Sequence, residues 1–258
     1  MSRDEPARVL IAGESWIMHT IHQKGVDDFR TTAYGEGHGW LQRALEGGGF
    51  AVEHLPNHLA SARFPTTRAE IDRYAAVILS DIGSNTLLLH PDTFERSRST
   101  PNRLALLRDY AHDGGGLIMV GGYLTFQGID AKARYAGTEV EAALPVTILS
   151  QDDRVEAPEG VRPRLTDPAH PIAAGLPDEW PALLGYNRII PKAGATVVAT
   201  VPSRAGFADP LVVAWSFGAG RSVAFASDCG PHWAPPAFVE WHGYARLWTQ
   251  LVGWAARR

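Results

Sequence analysis

Leu117-Ile118-Met119-Val120, followed at once by Gly121-Gly122-Tyr123, constrains this chain more than any other stretch. Four apolar residues between glycine clusters are too few and too β-prone for a helix, and Gly114-Gly115-Gly116 before them ends the preceding helical pattern. A continuous apolar strand is buried on both faces, the situation of a parallel sheet covered by helices. Such sheets place ligands and nucleophiles at the turns leaving their carboxyl edge. Here the residue carried by that turn is Tyr123, a phenol where an enzyme would show serine or cysteine.

The pattern recurs. Val9-Leu10-Ile11-Ala12-Gly13 reads as a first strand, residues 50–55 as a second and residues 75–81 as a third, with helical spacing at 40–45, 67–74 and 100–112 between them. Thr100-Pro101 offers an N-cap and a first-turn proline for the last of these helices. Strands alternating with helices imply a mostly parallel sheet with right-handed crossovers. Residues 14–37 read as an unusually long connection. Proline excludes a central strand from the acidic run 151–163, which reads as a surface excursion. Three β-like segments at 196–201, 211–217 and 222–227 read as antiparallel additions at one sheet edge, and 241–254 as a closing amphipathic helix.

With 258 residues, 45 % hydrophobic and 20 % charged, the chain suits one α/β domain spanning 1–258. A net charge of −4 without clustered Lys or Arg argues against nucleic acid and anionic membrane as partners. The single cysteine, Cys229, allows no intrachain disulfide, and no signal or membrane segment is evident, so a cytoplasmic location is expected. Eight tryptophans imply heavy core packing, with an aromatic pocket or a subunit interface as the alternative.

The order of Gly121-Gly122-Tyr123 with Phe126 and Gly128, Tyr135-Ala136-Gly137-Thr138, Leu144-Pro145-Val146, Asp152-Asp153-Arg154, His170-Pro171-Ile172, Gly185-Tyr186-Asn187, Gly220-Arg221, and Asp228 with Pro231-His232-Trp233 resembles the glutamine amidotransferase-like proteins. These are bacterial cytoplasmic members of the class I glutamine amidotransferase-like superfamily, related in fold to trehalose-utilisation-type proteins. The resemblance covers nearly the whole chain. It implies a three-layer α/β/α, flavodoxin-like fold with a mixed, mostly parallel sheet and antiparallel additions. It also implies a glutaminase set of a cysteine on the bend, a later histidine, and a glutamate two residues beyond that histidine. Here the bend matches Tyr123, or Gly122 if the register slips by one, and Asp228 and His232 do not form the His-x-Glu pair. Glutamine hydrolysis by that mechanism is therefore not expected.

The candidate site is the sheet rim. Tyr123, Asp228 and His232 are the catalytic candidates, His232 as a general base near neutral pH. Glu14, Trp16, Asp81, Gly121 and Gly122 are the ligand-binding candidates, because Glu14, Asp81, Tyr123 and Asp228 each follow a strand and converge if those strands are parallel. His19 and His22 have side chains suited to a divalent metal, at a permissive spacing. Cys229 beside Asp228 reads as a small buried hydrophobe. The Asp152–Arg154 run reads as a solvated local ion pair. The leading expectation is a protein without the bend cysteine that binds, and in a stronger form hydrolyses, a small polar molecule. The alternatives are a non-catalytic homo-oligomeric module with a vestigial site and an amidohydrolase using Cys229.

Overall fold

The computed structural model describes residues 5–203 and 206–258. From the N-terminus its strands are β1 (Ala7–Gly13), β2 (Ser15–Lys24), β3 (Asp27–Glu36), β4 (Phe50–Leu55), β5 (Ala76–Ser80), β6 (Gly116–Val120) and β7 (Val146–Ile148). They continue with β8 (Arg154–Val161), β9 (Arg164–Leu165), β10 (Leu183–Asn187), β11 (Ile189–Pro191), β12 (Thr196–Pro202), β13 (Ala208–Phe217) and β14 (Gly220–Phe225). Eight of them form one sheet in the order β4-β1-β5-β6-β14-β13-β12-β9. The first five run parallel, while β13, β12 and β9 alternate antiparallel. The α/β class and the mixed sheet are as the sequence implies.

Every residue of β5 and β6 is buried, which is why neither strand shows hydrophobic alternation. Helices flank the sheet. The last, Tyr244–Ala255, turns Tyr244, Leu247, Trp248, Leu251, Val252 and Ala255 inward at helical spacing and packs on the helix Gly39–Gly47. The helix Arg103–His112 starts later than Thr100 implies: Asn102 is its cap, its side-chain oxygen accepting from Leu104 N at 2.9 Å and Ala105 N at 3.1 Å.

Two other expectations are corrected. Residues 14–37 are not an irregular connection but the ribbon β2–β3, paired from Ser15↔Glu36 to Lys24↔Asp27 around Gly25, whose φ of 67° suits a two-residue turn. Strand β14 is not an edge addition. It lies inside the sheet, parallel to β6, and its buried Val223-Ala224-Phe225 run marks an interior strand. The proline-bearing excursion, by contrast, stays out of the main sheet as expected: its strand β8 pairs with β10 in a separate two-stranded sheet, where Pro158 is accommodated.

Candidate functional site at the carboxyl rim of the sheet

Strand order reverses around β1: the chain crosses to β4 on one side and later to β5 on the other. The crevice beyond the carboxyl ends of such a pair is where open α/β sheets hold ligands. Glu14 follows β1 and Asp81 follows β5, so the two carboxylates flank that crevice. Both adopt positive φ, 47° and 45°, a costly conformation for non-glycine residues. Glu14 N donates to Ser80 O at 2.9 Å, and Gly13 lies so close to β5 that a Cβ there would sit 1.7 Å from Ser80 O. The turn is thus locked to the neighbouring strand, and only glycine fits at position 13.

A cavity of about 680 Å³ opens here, lined by Glu14, Trp16, Met18, Gly37, Asp81, Tyr123, Asp228, Gly230, Pro231 and His232. Six of the residues singled out in the sequence, Glu14, Trp16, Asp81, Tyr123, Asp228 and His232, therefore share one wall system. Gly121 and Gly122 form the bend beneath it. Gly122 has φ 149°, and a Cβ there would lie 3.0 Å from Asp228 Oδ1 and 3.3 Å from Asp81 Oδ1, so the bend threads between two carboxylates.

Burial, then the nearby Asp228 and Asp81, pushes the Glu14 carboxyl up from 4.5 to about 8. Glu14 is 5 % exposed and accepts a hydrogen bond from Ser80 Oγ. Asp81 is also raised, chiefly by burial, although Leu124 N donates to its Oδ1 at 2.8 Å. Asp228 Oδ2 lies 2.7 Å from His232 Nδ1 and accepts from Trp233 N at 3.2 Å. The bond from Asp228 raises the His232 pKa and fixes the ring, leaving Nε2 as the atom available to a ligand.

Tyr123 stands edge-on to His232, ring centroids 4.4 Å apart, and donates its hydroxyl to Glu156 Oε1 at 3.1 Å. The Arg154 guanidinium lies 4.7 Å from the centre of its ring. Burial and the Glu156 contact raise the phenol pKa. Below the bend, the fully buried Asn187 accepts from Gly122 N at 2.9 Å and donates to Gly122 O at 3.1 Å and Asp153 Oδ1 at 2.8 Å. Asp153 in turn accepts from Gln127 N and Gly128 N at 2.8 and 2.9 Å.

Cys229 is buried between these groups, its Sγ 3.8 Å from Ser80 Oγ, and burial with Glu14 and Asp228 nearby pushes the thiol well up. A protonated, enclosed thiol is a poor nucleophile. His232 is engaged with Asp228 instead.

His19 and His22 fall on opposite faces of the β2–β3 ribbon. His19 Nδ1 is 3.1 Å from Thr32 Oγ1, and His22 stacks on Phe29 with centroids 4.5 Å apart. Among the described residues, the group able to hold a metal ion is Glu36, His38 and His54, whose ligand atoms lie within 4.8 Å of one another. Its two imidazoles stack at 3.5 Å, 16° from parallel, so an ion shared by both requires one ring to turn out of the stack.

Sequence reasoning passed over Ser80, Glu156 and the supporting roles of Asn187 and Asp153. The burial of Asp153 had no signal in a run that otherwise behaves as expected: Asp152 and Arg154 form an ion pair at 2.8 Å. Asn187 carried no local signal either, since asparagine is mostly exposed and its burial here is set by the bend that it bridges.

A switch-point crevice ringed by carboxylates and one oriented histidine defines an α/β protein with a rim site. Its family follows from comparison: the model described as "Putative glutamine amidotransferase" matches residues 8–257, and the chain belongs to this glutamine amidotransferase-like family. The cytoplasmic proteins STM3548 and STM1381 of Salmonella typhimurium are each 42 % identical with TM-scores of 0.91, over 96 % of this chain and 98 % and 99 % of theirs. A "putative thua-like protein" of Parabacteroides merdae shares the fold alone, at 14 % identity and TM-score 0.59 over 98 % of this chain and 90 % of its own. No curated protein matches the chain.

Proposed function

We propose that this protein is a cytoplasmic member of the family that binds a small polar molecule at the sheet rim, with acid–base groups in place of a cysteine nucleophile on the bend. The supporting observation is the meeting of Glu14, Asp81, Asp228 and His232, from the turns after three different strands, around one cavity of about 680 Å³. A carboxyl shifted as far as that of Glu14, in a concave site, is characteristic of binding and catalytic centres. Glu14, held protonated at neutral pH, donates a hydrogen bond. Asp81 accepts one, and Trp16 and Met18 supply an apolar wall. His232, oriented by Asp228, moves a proton at Nε2 if the ligand is transformed. The family resemblance and the cytoplasmic Salmonella relatives support the location.

The test is calorimetry and thermal shift with a panel of small amides, amines and polyols. At least one compound is expected to stabilise the wild type, with binding weakened by about tenfold or more in Asp81→Asn. A panel without effect, or a stabilising compound indifferent to both Asp81→Asn and His232→Ala, overturns the reading. So does glutamine turnover that disappears in Cys229→Ala, which would return the chemistry to the thiol.

A further inference from the structure

The β2–β3 ribbon stands away from the molecule. All of β3 and all of β2 beyond Ser15 lie outside the core, and the ribbon forms a sheet of only two strands with both outer edges unpaired among the described residues. Its attachment is at the base, where Asn57 bonds to Ser15 and Tyr34 meets His58 edge-on. An isolated hairpin is marginal in water. This one nevertheless holds ten residues per strand in continuous register.

Its surface is unlike the rest of the protein. Of eleven exposed large hydrophobic residues among those described, seven lie between Trp16 and Tyr34. They occupy both faces: Trp16, Met18 and Phe29 on one, Ile17, Ile21 and Tyr34 on the other, with Val26 fully exposed at the tip. Apolar patches of this kind mark interaction surfaces.

From this ribbon we infer that the occupant of the surface is a second copy of the same chain, and that the association covers the outer wall of the rim cavity. Three features select that occupant. Charges at the tip balance, Lys24 and Arg30 against Asp27 and Asp28, which suits a self-complementary contact and opposes an anionic bilayer or nucleic acid. Apolar residues on two faces suit a ribbon clasped between two bodies, whereas a membrane or flat partner covers one face. A ribbon about 33 Å long and about 10 Å wide offers roughly 600–800 Å² over its two faces, close to one partner's share of a standard stable interface. Free strand edges add main-chain pairing, as in β-augmentation. Trp16 and Met18 belong both to this ribbon and to the cavity lining, so the second copy completes the wall that the monomer leaves open.

Light scattering on a sizing column, over a dilution series of the full chain, is the test. The wild type is expected to be a dimer or larger, and the double variant Ile21→Glu, Phe29→Glu a monomer with unchanged circular dichroism and cooperative melting, since both side chains are exposed. Hydrogen exchange should show the 16–24 amides protected in the wild type and open in the variant. A wild type that is monomeric throughout overturns the inference, whether or not it binds vesicles, and so does an oligomer that survives the double variant. Calorimetry on the monomeric variant separates this result from the ligand proposal: loss of assembly with retained ligand binding leaves that proposal standing.

Discussion

At residue scale, Glu14 contributes a pH dependence opposite to that of most surface carboxylates. Its folded pKa of about 8 exceeds the ordinary value of 4.5, so between those values the folded protein keeps a proton that the unfolded chain releases. Stability therefore falls as pH rises from about 4.5 to about 8, and levels off above. The full effect is on the order of 3–5 kcal/mol. Glu14→Gln keeps the hydrogen-bonding shape while removing the titration, so the variant should lose stability much less than the wild type between pH 5 and pH 8. Urea denaturation across that range checks this, and parallel profiles for both proteins would show that Glu14 ionises normally. Burial is the first reason the proton stays, and Asp228 and Asp81, facing the same cavity, add to it.

At element scale, buried Arg103 ties short helices together. From the first turn of Arg103–His112, its guanidinium donates to Leu87 O at 2.5 Å, Ser61 O at 2.8 Å and Ala60 O at 3.3 Å, at the ends of the helices Ser84–Leu88 and Asn57–Arg63. Carbonyls at helix C-termini are otherwise unsatisfied and carry negative partial charge. Burial lowers the Arg103 pKa to about 10, which still leaves it charged at neutral pH. Arg103→Leu should cost about 2–4 kcal/mol by orphaning three buried acceptors, read as a lower denaturation midpoint with an unchanged slope; a change under about 0.5 kcal/mol would mean that water replaces the guanidinium. This bridge was not legible in the sequence, because an arginine at a helix start looks solvent-facing. The parallel strands were legible, since β1, β5 and β6 are apolar runs closed by polar or glycine residues. The ribbon was not: Trp16, Ile17 and Met18 are consecutive apolar residues exposed on both faces, and alternation detects a strand only when one face is buried. The position of β14 was equally hidden, because interior pairing is decided by crossovers and not by local pattern.

At the scale of the whole molecule, the rim is assembled from turns far apart in sequence, so its geometry depends on how the last helix packs. Rim residues such as Glu14, Asp81 and Asp228 were legible because each follows a strand, whereas their mutual approach required the strand order. Asp228, Cys229 and His232 lie on the segment between β14 and Tyr244–Ala255, and Tyr244 hydroxyl donates to Cys229 O at 2.5 Å, joining that helix to the site. Trp248, fully buried one turn further on, lies against Phe225 of β14, centroids 4.9 Å apart, and against Tyr244 at 6.1 Å. Trp248→Ala should therefore cost about 3–5 kcal/mol, and for a chain of this size lower the melting temperature by roughly 10 °C. Trp248→Phe, which keeps most of the buried ring, should lose less than half as much. If packing by this helix positions the rim, Trp248→Ala will also shift the His232 ring titration, followed by NMR, because Asp228 and His232 lie on the segment that the helix braces. An unchanged titration beside a large stability loss would show that β14 and the Asn187 bridge alone hold the rim in place.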